Sequence, residues 1–124
     1  MTMTPPAPAA VAVAVAQAYF QAWSAHDFES AMRFVDPDVV CLAPAGRLEG
    51  GAAFRGFMGP FVDSVERTAL IAQYGDDECA VTMYDTDTHR VQDAPGAECV
   101  RVRDGRIVWM RIIFDRLPFR PVAD

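Results

Sequence analysis

Residues 97–114 read AECVRVR, DG, RIVWMRIIF: two runs rich in β-branched and apolar side chains on either side of Asp104-Gly105. An Asp-Gly connection of this length is a strong hairpin signal, because the tight turn needs positive φ at both central residues. Working back towards the N-terminus, period-two patterning predicts strands over 68–74 and 78–88, joined by Gly75-Asp76-Asp77, with Ala94-Pro95-Gly96 read as loop before a strand over 97–103. Further back the period becomes helical. Val11, Val15, Tyr19 and Trp23 recur every four residues in a helix over 9–25. Asp27 then caps a short helix carrying Phe28, Ala31, Met32 and Val35 that ends at Asp36-Pro37, since proline disfavours helix in the residue before it. Phe54, Phe57, Met58, Phe61, Val62 and Val65 mark a third helix over 52–65, distorted near Gly59-Pro60. Residues 39–43 read as a strand, and the following Pro44, Gly46, Gly50 and Gly51 as turns. Helices first and an antiparallel run afterwards predict an α+β domain whose curved sheet is covered on one face by helices.

The 124 residues suit one domain, read as 9–120, with a Thr/Pro/Ala-rich tail at 1–8 and a short tail at 121–124. Acidic residues outnumber basic ones, 17 to 11, so the net charge of -6 repels nucleic acid and anionic membrane surfaces. Every basic residue is arginine, which excludes Schiff-base chemistry and a phosphate-binding lysine. The cysteines are Cys41, Cys79 and Cys99, an odd number without a C-x-x-C pair, as expected of a reducing, cytoplasmic compartment. The apolar N-terminal stretch has no basic flank, the first arginine being Arg33, and Gln17 and Gln21 interrupt it before membrane-spanning length. No G-x-S-x-G, H-E-x-x-H or G-x-G-x-x-G pattern occurs, so no cofactor is expected.

Several of these segments together carry a family resemblance. They are Tyr19-Phe20-x-x-Trp23-x-x-His26-Asp27, Asp36-Pro37-Asp38-Val39-Val40, Gly50 before the third helix, and Val102-Arg103-Asp104-Gly105-Arg106-Ile107 with Phe114-Asp115. Over roughly residues 10–120 the chain resembles the SnoaL-like branch of the nuclear-transport-factor-2-like superfamily, which includes ketosteroid isomerase and polyketide cyclases. The resemblance implies a cone in which three helices close a bent sheet around an apolar pocket, and a homodimer formed through the outer sheet face. By its position Tyr19 matches the isomerase tyrosine that donates to a substrate oxyanion, and Glu98 the carboxylic acid that assists it. The isomerase's proton-carrying aspartate corresponds to Ala43, which has no proton to carry.

The residues themselves suggest a carboxylate cluster. Centring the hairpin between Gln92 and Asp93 sets Asp87 opposite Glu98, Asp85 opposite Val100 and Met83 opposite Val102, and turns Val81, Met83, Asp85, Asp87 and His89 to one face. Close carboxylates in a partly dry site raise one pKa towards neutrality, as acid–base catalysis needs. Tyr19, Asp85, Asp87 and Glu98 are therefore the catalytic candidates. The plain alternatives are a packed core tyrosine, solvated strand-end aspartates, and Glu98 paired with Arg90 or Arg111. Asp85-x-Asp87-x-His89 has metal-ligand chemistry, but same-face positions about 6.6 Å apart on one flat strand make three simultaneous ligands awkward, so no metal is expected. His26 reads as a helix-junction residue, and Cys41 and Cys79 as small core residues.

The expected pocket lining is Trp23, Cys41, Ala43, Phe57, Phe61, Val81, Met83, Val100, Met110, Ile112 and Phe114. The last strand is apolar on both sides, so Trp109 and Ile113, with Arg101 and Arg103 beside them, are expected at a homodimer interface. The expected partner is a small, largely apolar molecule. It would be turned over by isomerisation, cyclisation, elimination or epoxide opening, or else simply bound.

Overall fold

The computed structural model describes residues 9–119. Its first helix, α1 (Val11–Ser24), buries Ala12, Val15, Ala16, Tyr19, Phe20 and Trp23. That stripe is displaced from the expected one: Val11 is half exposed. The backbone N–H of Val11 instead donates to Asp77 Oδ1 at 2.9 Å, supplying the N-terminal cap that the Ala10 side chain cannot. The helix ends as His26 turns left-handed at φ 62°, while Asp27 N donates to Ala22 O at 2.9 Å. Asp27 then caps α2 (Phe28–Met32), accepting from Ser30 N at 3.1 Å and Ser30 Oγ at 2.7 Å. The expected junction and cap are both present.

The next strand starts earlier than its sequence suggests. Residues Val35–Ala43 form β1, so Asp36-Pro37 lies inside a strand and not at a helix end; the pairing shifts between Val35 and Val40, around the proline. Gly46–Glu49, expected as turn, is a short strand, β2, pairing Leu48 with Cys41. The third helix, α3 (Gly51–Ser64), contains Pro60 and buries Phe54, Met58 and Val62. It leads into β3 (Val65–Gly75), β4 (Cys79–Thr88), β5 (Ala94–Arg103) and β6 (Arg106–Phe114). Asp104 and Gly105 have φ of 52° and 76°, the two positive values the Asp-Gly hairpin requires. The sheet order is β2-β1-β6-β5-β4-β3, antiparallel except where β1 meets β6. On one face α1 packs against β3, β4 and β5, and α3 against β1 and β2. Among the described residues no helix is long and apolar enough to cross a membrane.

One expectation fails with consequences for the site. Glu98 pairs with Thr82, and Asp85 with Pro95, so the β4–β5 register differs from the expected one by an odd number of residues. The reason is that Ala94-Pro95-Gly96 is strand and not loop, Asp93 makes the turn at φ 52°, and Val91 O accepts from Thr88 N at 2.7 Å. Because side chains alternate, an odd shift exchanges the two faces of β4. Ala80, Thr82, Tyr84, Thr86 and Thr88 face the helices, whereas Val81 and Met83 are about half exposed on the outside.

Close backbone packing at the β3–β4 turn gives a stability test. A Cβ on Gly75 would lie 2.2 Å from Cys79 O and 2.6 Å from Ala80 Cα, whereas one on Gly56 in α3 would meet nothing within 4 Å. Gly75→Ala is expected to destabilise by roughly 2 kcal/mol or more, and Gly56→Ala to stabilise by about 0.5–1 kcal/mol through helix propensity. Urea melts of the two variants check both signs.

Candidate functional site

Tyr19 and Trp23 lie one helical turn apart on α1, so both point down onto the sheet. Glu98 rises to meet them from the inner face of β5, where Ala94, Gly96, Glu98 and Val100 alternate with outward residues. All three site residues are at most 2 % exposed. Glu98 Oε2, Tyr19 Oη and Trp23 Nε1 are buried without a hydrogen-bond partner among the described residues. Buried polar atoms are nearly always paired, so three orphans at one place define a polar pit in an apolar core.

The electrostatics follow from burial. Loss of water pushes the Glu98 carboxyl from 4.5 up to about 8, and the Trp23 indole N–H draws it part of the way back from outside hydrogen-bond geometry. Near pH 7 Glu98 is therefore mostly protonated, both donor and acceptor. Burial and then the Glu98 charge hold the Tyr19 hydroxyl well above the usual tyrosine range, and the same two causes act on Tyr84. They also push the Cys41 thiol up to about 12. Tyrosine hydroxyls and indole N–H are thus fixed as donors, and Glu98 is the only buried acid among the described residues.

Beside the pit is an open apolar cavity of about 290 Å³, lined by residues of α3, β4, β5 and β6 and by Phe119. Phe57, Phe61, Ile112 and Phe114 line it as expected, joined by Met58, Pro60, Ser64, Tyr84, Thr86, Ala94, Pro95 and Gly96, which sequence reasoning missed. Ile112 is the cross-strand partner of Glu98, and Gly96 lies two residues before it, about 6.8 Å along the strand. Tyr84 stands at the boundary, its ring 5.3 Å from Trp23 and 5.4 Å from Phe20 between centroids. Gly96 makes room for it: a Cβ there would lie 3.0 Å from the Tyr84 ring. Trp23, Cys41, Ala43, Val100 and Met110, expected in the lining, do not line this cavity, and neither do Tyr19 and Glu98: Trp23, Cys41, Val100 and Met110 are enclosed in the core, and Ala43 is half-buried at the end of β1.

The remaining candidates face away. Val81, Met83, Asp85 and Asp87 are on the outer sheet surface because of the register, not in the pocket. Asp87 accepts from Arg67 Nε at 2.7 Å and from Asp93 N at 2.8 Å, which hold its carboxyl below the usual range. Among the described residues no carboxylate cluster forms around Glu98, and burial is what raises its pKa. Arg111 is exposed on that outer side, directed away from Glu98. Among the described residues no group of three or more His, Cys, Asp or Glu side chains is placed to hold a metal. The outer face also carries the residues expected at an interface: Ile113 is 62 % exposed, and Arg101 covers Trp109 at 5.0 Å from the ring centroid.

A helix-covered bent sheet with an inner apolar cavity is the nuclear-transport-factor-2-like α+β fold, and solved structures of that fold align along most of the chain. One such protein, from Cytophaga hutchinsonii, is 14% identical with TM-score 0.72, covering 93% of this chain and 98% of its own. Within that fold the chain belongs to the SnoaL-like domain family, matched over residues 16–110. A protein of known structure from Kribbella flavida is 50% identical, with TM-score 0.86 over 88% of this chain and 90% of that one. A protein from Sinorhizobium meliloti named as a polyketide cyclase candidate is 18% identical, with TM-score 0.70 over 81% and 94%. No protein of curated function matches the chain.

The buried acid makes stability depend on pH with a definite sign. Between pH 4.5 and about 8 the folded chain keeps a proton that the unfolded chain releases, so stability falls as pH rises through that window and levels off above it. At pH 7 the loss is about 3 kcal/mol, which Glu98→Gln removes. The variant should melt several degrees above wild type at pH 7–8 and the difference should vanish near pH 4.5, as thermal melts across pH will read.

Proposed function

We propose that the chain is a cofactor-independent acid–base enzyme acting on a small, largely apolar, uncharged molecule that bears a carbonyl, epoxide or similar acceptor oxygen. The observation that carries this reading is the set of three unpartnered buried groups, Glu98 Oε2, Tyr19 Oη and Trp23 Nε1, next to an apolar cavity. Such a set is complementary to an oxygen that gains negative charge during reaction, and in a dry site each donor counts for more than in water. Glu98, protonated at neutral pH, gives its proton to that oxygen, and the carboxylate left behind takes the proton released by the reacting carbon or by an attacking hydroxyl, which restores the acid while Tyr19 and Trp23 hold the oxygen in place. With Ala43 aprotic and Asp85 and Asp87 on the outer face, one carboxyl serves both directions of transfer. Isomerisation, intramolecular cyclisation and epoxide opening all fit that pattern, and the kinship with a protein named for polyketide cyclisation agrees with it. The rival reading is a binding module that holds such a molecule without turning it over, and Ala43 favours it.

We also propose that two copies pair through the outer sheet face. Tyr74, Val81, Met83 and Ile113 are exposed there, with arginines and Asp85 interspersed, a mixture suited to meeting its own copy about a two-fold axis.

A panel of neutral ketones and epoxides is screened first by ligand-dependent thermal shift and then for turnover. For the enzyme, Glu98→Gln should lower kcat roughly 10²-fold or more and Tyr19→Phe about 10-fold, with binding retained in both. Activity should fall as pH rises through about 8, where Glu98 loses its proton. Thermal shifts without turnover in any panel member would establish the binding module instead. Sedimentation of Ile113→Asp, expected to be monomeric where wild type is dimeric, checks the interface.

A further inference from the structure

On the side of the sheet opposite the pit, β4 and β5 bring two thiols together. Cys79 pairs across the ladder with Arg101 and Cys99 with Val81, which makes the cysteines diagonal neighbours on the outer face, and their sulfurs lie 3.4 Å apart. Both are half-buried, whereas the remaining cysteine, Cys41, is fully enclosed on the inner face of β1 beside Met110. The backbone around Cys79 is held in place: Asp76 Oδ1 accepts from Glu78 N at 2.8 Å and from Cys79 N at 2.9 Å. Arg101 follows Cys99 on the same face, and Arg111 is opposite it on β6. Nothing in the proposed acid–base chemistry uses either sulfur.

We propose that Cys79 and Cys99 form a redox-active thiol pair that closes to a disulfide across β4 and β5 when a peroxide reaches it. One thiolate attacks a peroxide oxygen; the O–O bond breaks, hydroxide leaves, and a sulfenic acid forms on that cysteine. The second thiolate then attacks the sulfenic sulfur, forming the S–S bond and expelling a second hydroxide. The two thiol protons convert the hydroxides to water, so two thiols are oxidised as one peroxide is reduced to two waters. A disulfide is about 2.05 Å long, so the sulfurs must approach by about 1.4 Å between strands already in register. Burial and the Cys79 thiol hold Cys99 up to about 11, with the Arg101 guanidinium acting the other way. Arg101 and Arg111 flank Cys99, Tyr74 is on the same face of β3, and the Asp76 carboxylate is bound to the Cys79 backbone; closure speeds up as rising pH forms the attacking thiolate. The closed bond ties the strand bearing Glu98, the residue before Cys99, to its partner β4.

Both thiols are on the face proposed to meet a second copy, so the test uses the reduced full chain both as wild type and as Ile113→Asp. Each is treated with hydrogen peroxide, quenched, and examined by intact mass, thiol titration and peptide mapping. Support is a mass lower by two hydrogens, Cys41 as the remaining free thiol, a peptide linking Cys79 to Cys99, and reversal by dithiothreitol. Closure in both chains, or in Ile113→Asp alone with the wild-type thiols shielded by a second copy, upholds the proposal. Oxygen adducts on separate cysteines, a link between chains, or three free thiols in both proteins overturns it. Cys99→Ser should lose the link and leave Cys79 carrying a sulfenic acid that a dimedone probe traps.

Discussion

Glu98 is opposite Thr82 across the β4–β5 ladder, and that pairing settles which side chains reach the interior of the cone. Strand alternation leaves no intermediate choice: with Glu98 inside, Cys99 is outside; with Thr82 and Tyr84 inside, Val81, Met83, Asp85 and Asp87 are outside. The pit, the cavity wall, the exposed apolar face and the thiol pair are all results of one register. The register in turn is held by the Thr88–Val91 turn and by Asp87, which accepts from the backbone of Asp93 across the same connection.

Holding an acid in that position works against folding, and its surroundings show what offsets it. Burial of Glu98 opposes stability by about 3 kcal/mol at pH 7, comparable with what one fully buried large apolar side chain contributes. Trp23, Phe20, Tyr84 and Phe61 surround the site with ring contacts of 5.0–5.9 Å between centroids, Trp23 touching each of the others. The aromatic cluster therefore both supplies the compensating burial and excludes the water that would return the carboxyl to its ordinary pKa. Dryness and stability share one origin here, so loosening the rings would weaken both.

The elements legible in the sequence were those with strong local signals. Asp104-Gly105 fixed its hairpin through turn chemistry, Asp27 its helix through capping, and the four-residue recurrence of Val15, Tyr19 and Trp23 its buried stripe. Glu98 was legible as an inward acid because Val100 and the neighbouring arginines set the faces of its own strand. Less legible was how that strand meets β4. Ala94-Pro95-Gly96 has the composition of a loop, yet Pro95 sits near the start of a strand and Gly96 is there because the Tyr84 ring occupies the space of a side chain. Treating those residues as loop shifts the register by an odd number and turns Asp85 and Asp87 inward, whereas in the structure both are outside. The Cys79–Cys99 contact was hidden for the same reason, since it exists only in the observed register.

The glycine under Tyr84 also bears on how such a protein diversifies. Along β5 the position that sets the cavity wall and the position that carries the acid are consecutive inward residues, yet they are separable: one governs room, the other reactivity. A side chain at position 96 would displace the ring and reshape the cavity without changing the residue at 98. Ligand size and proton chemistry can thus be selected independently within a single strand, which gives a small cone a short evolutionary route from one molecule to another.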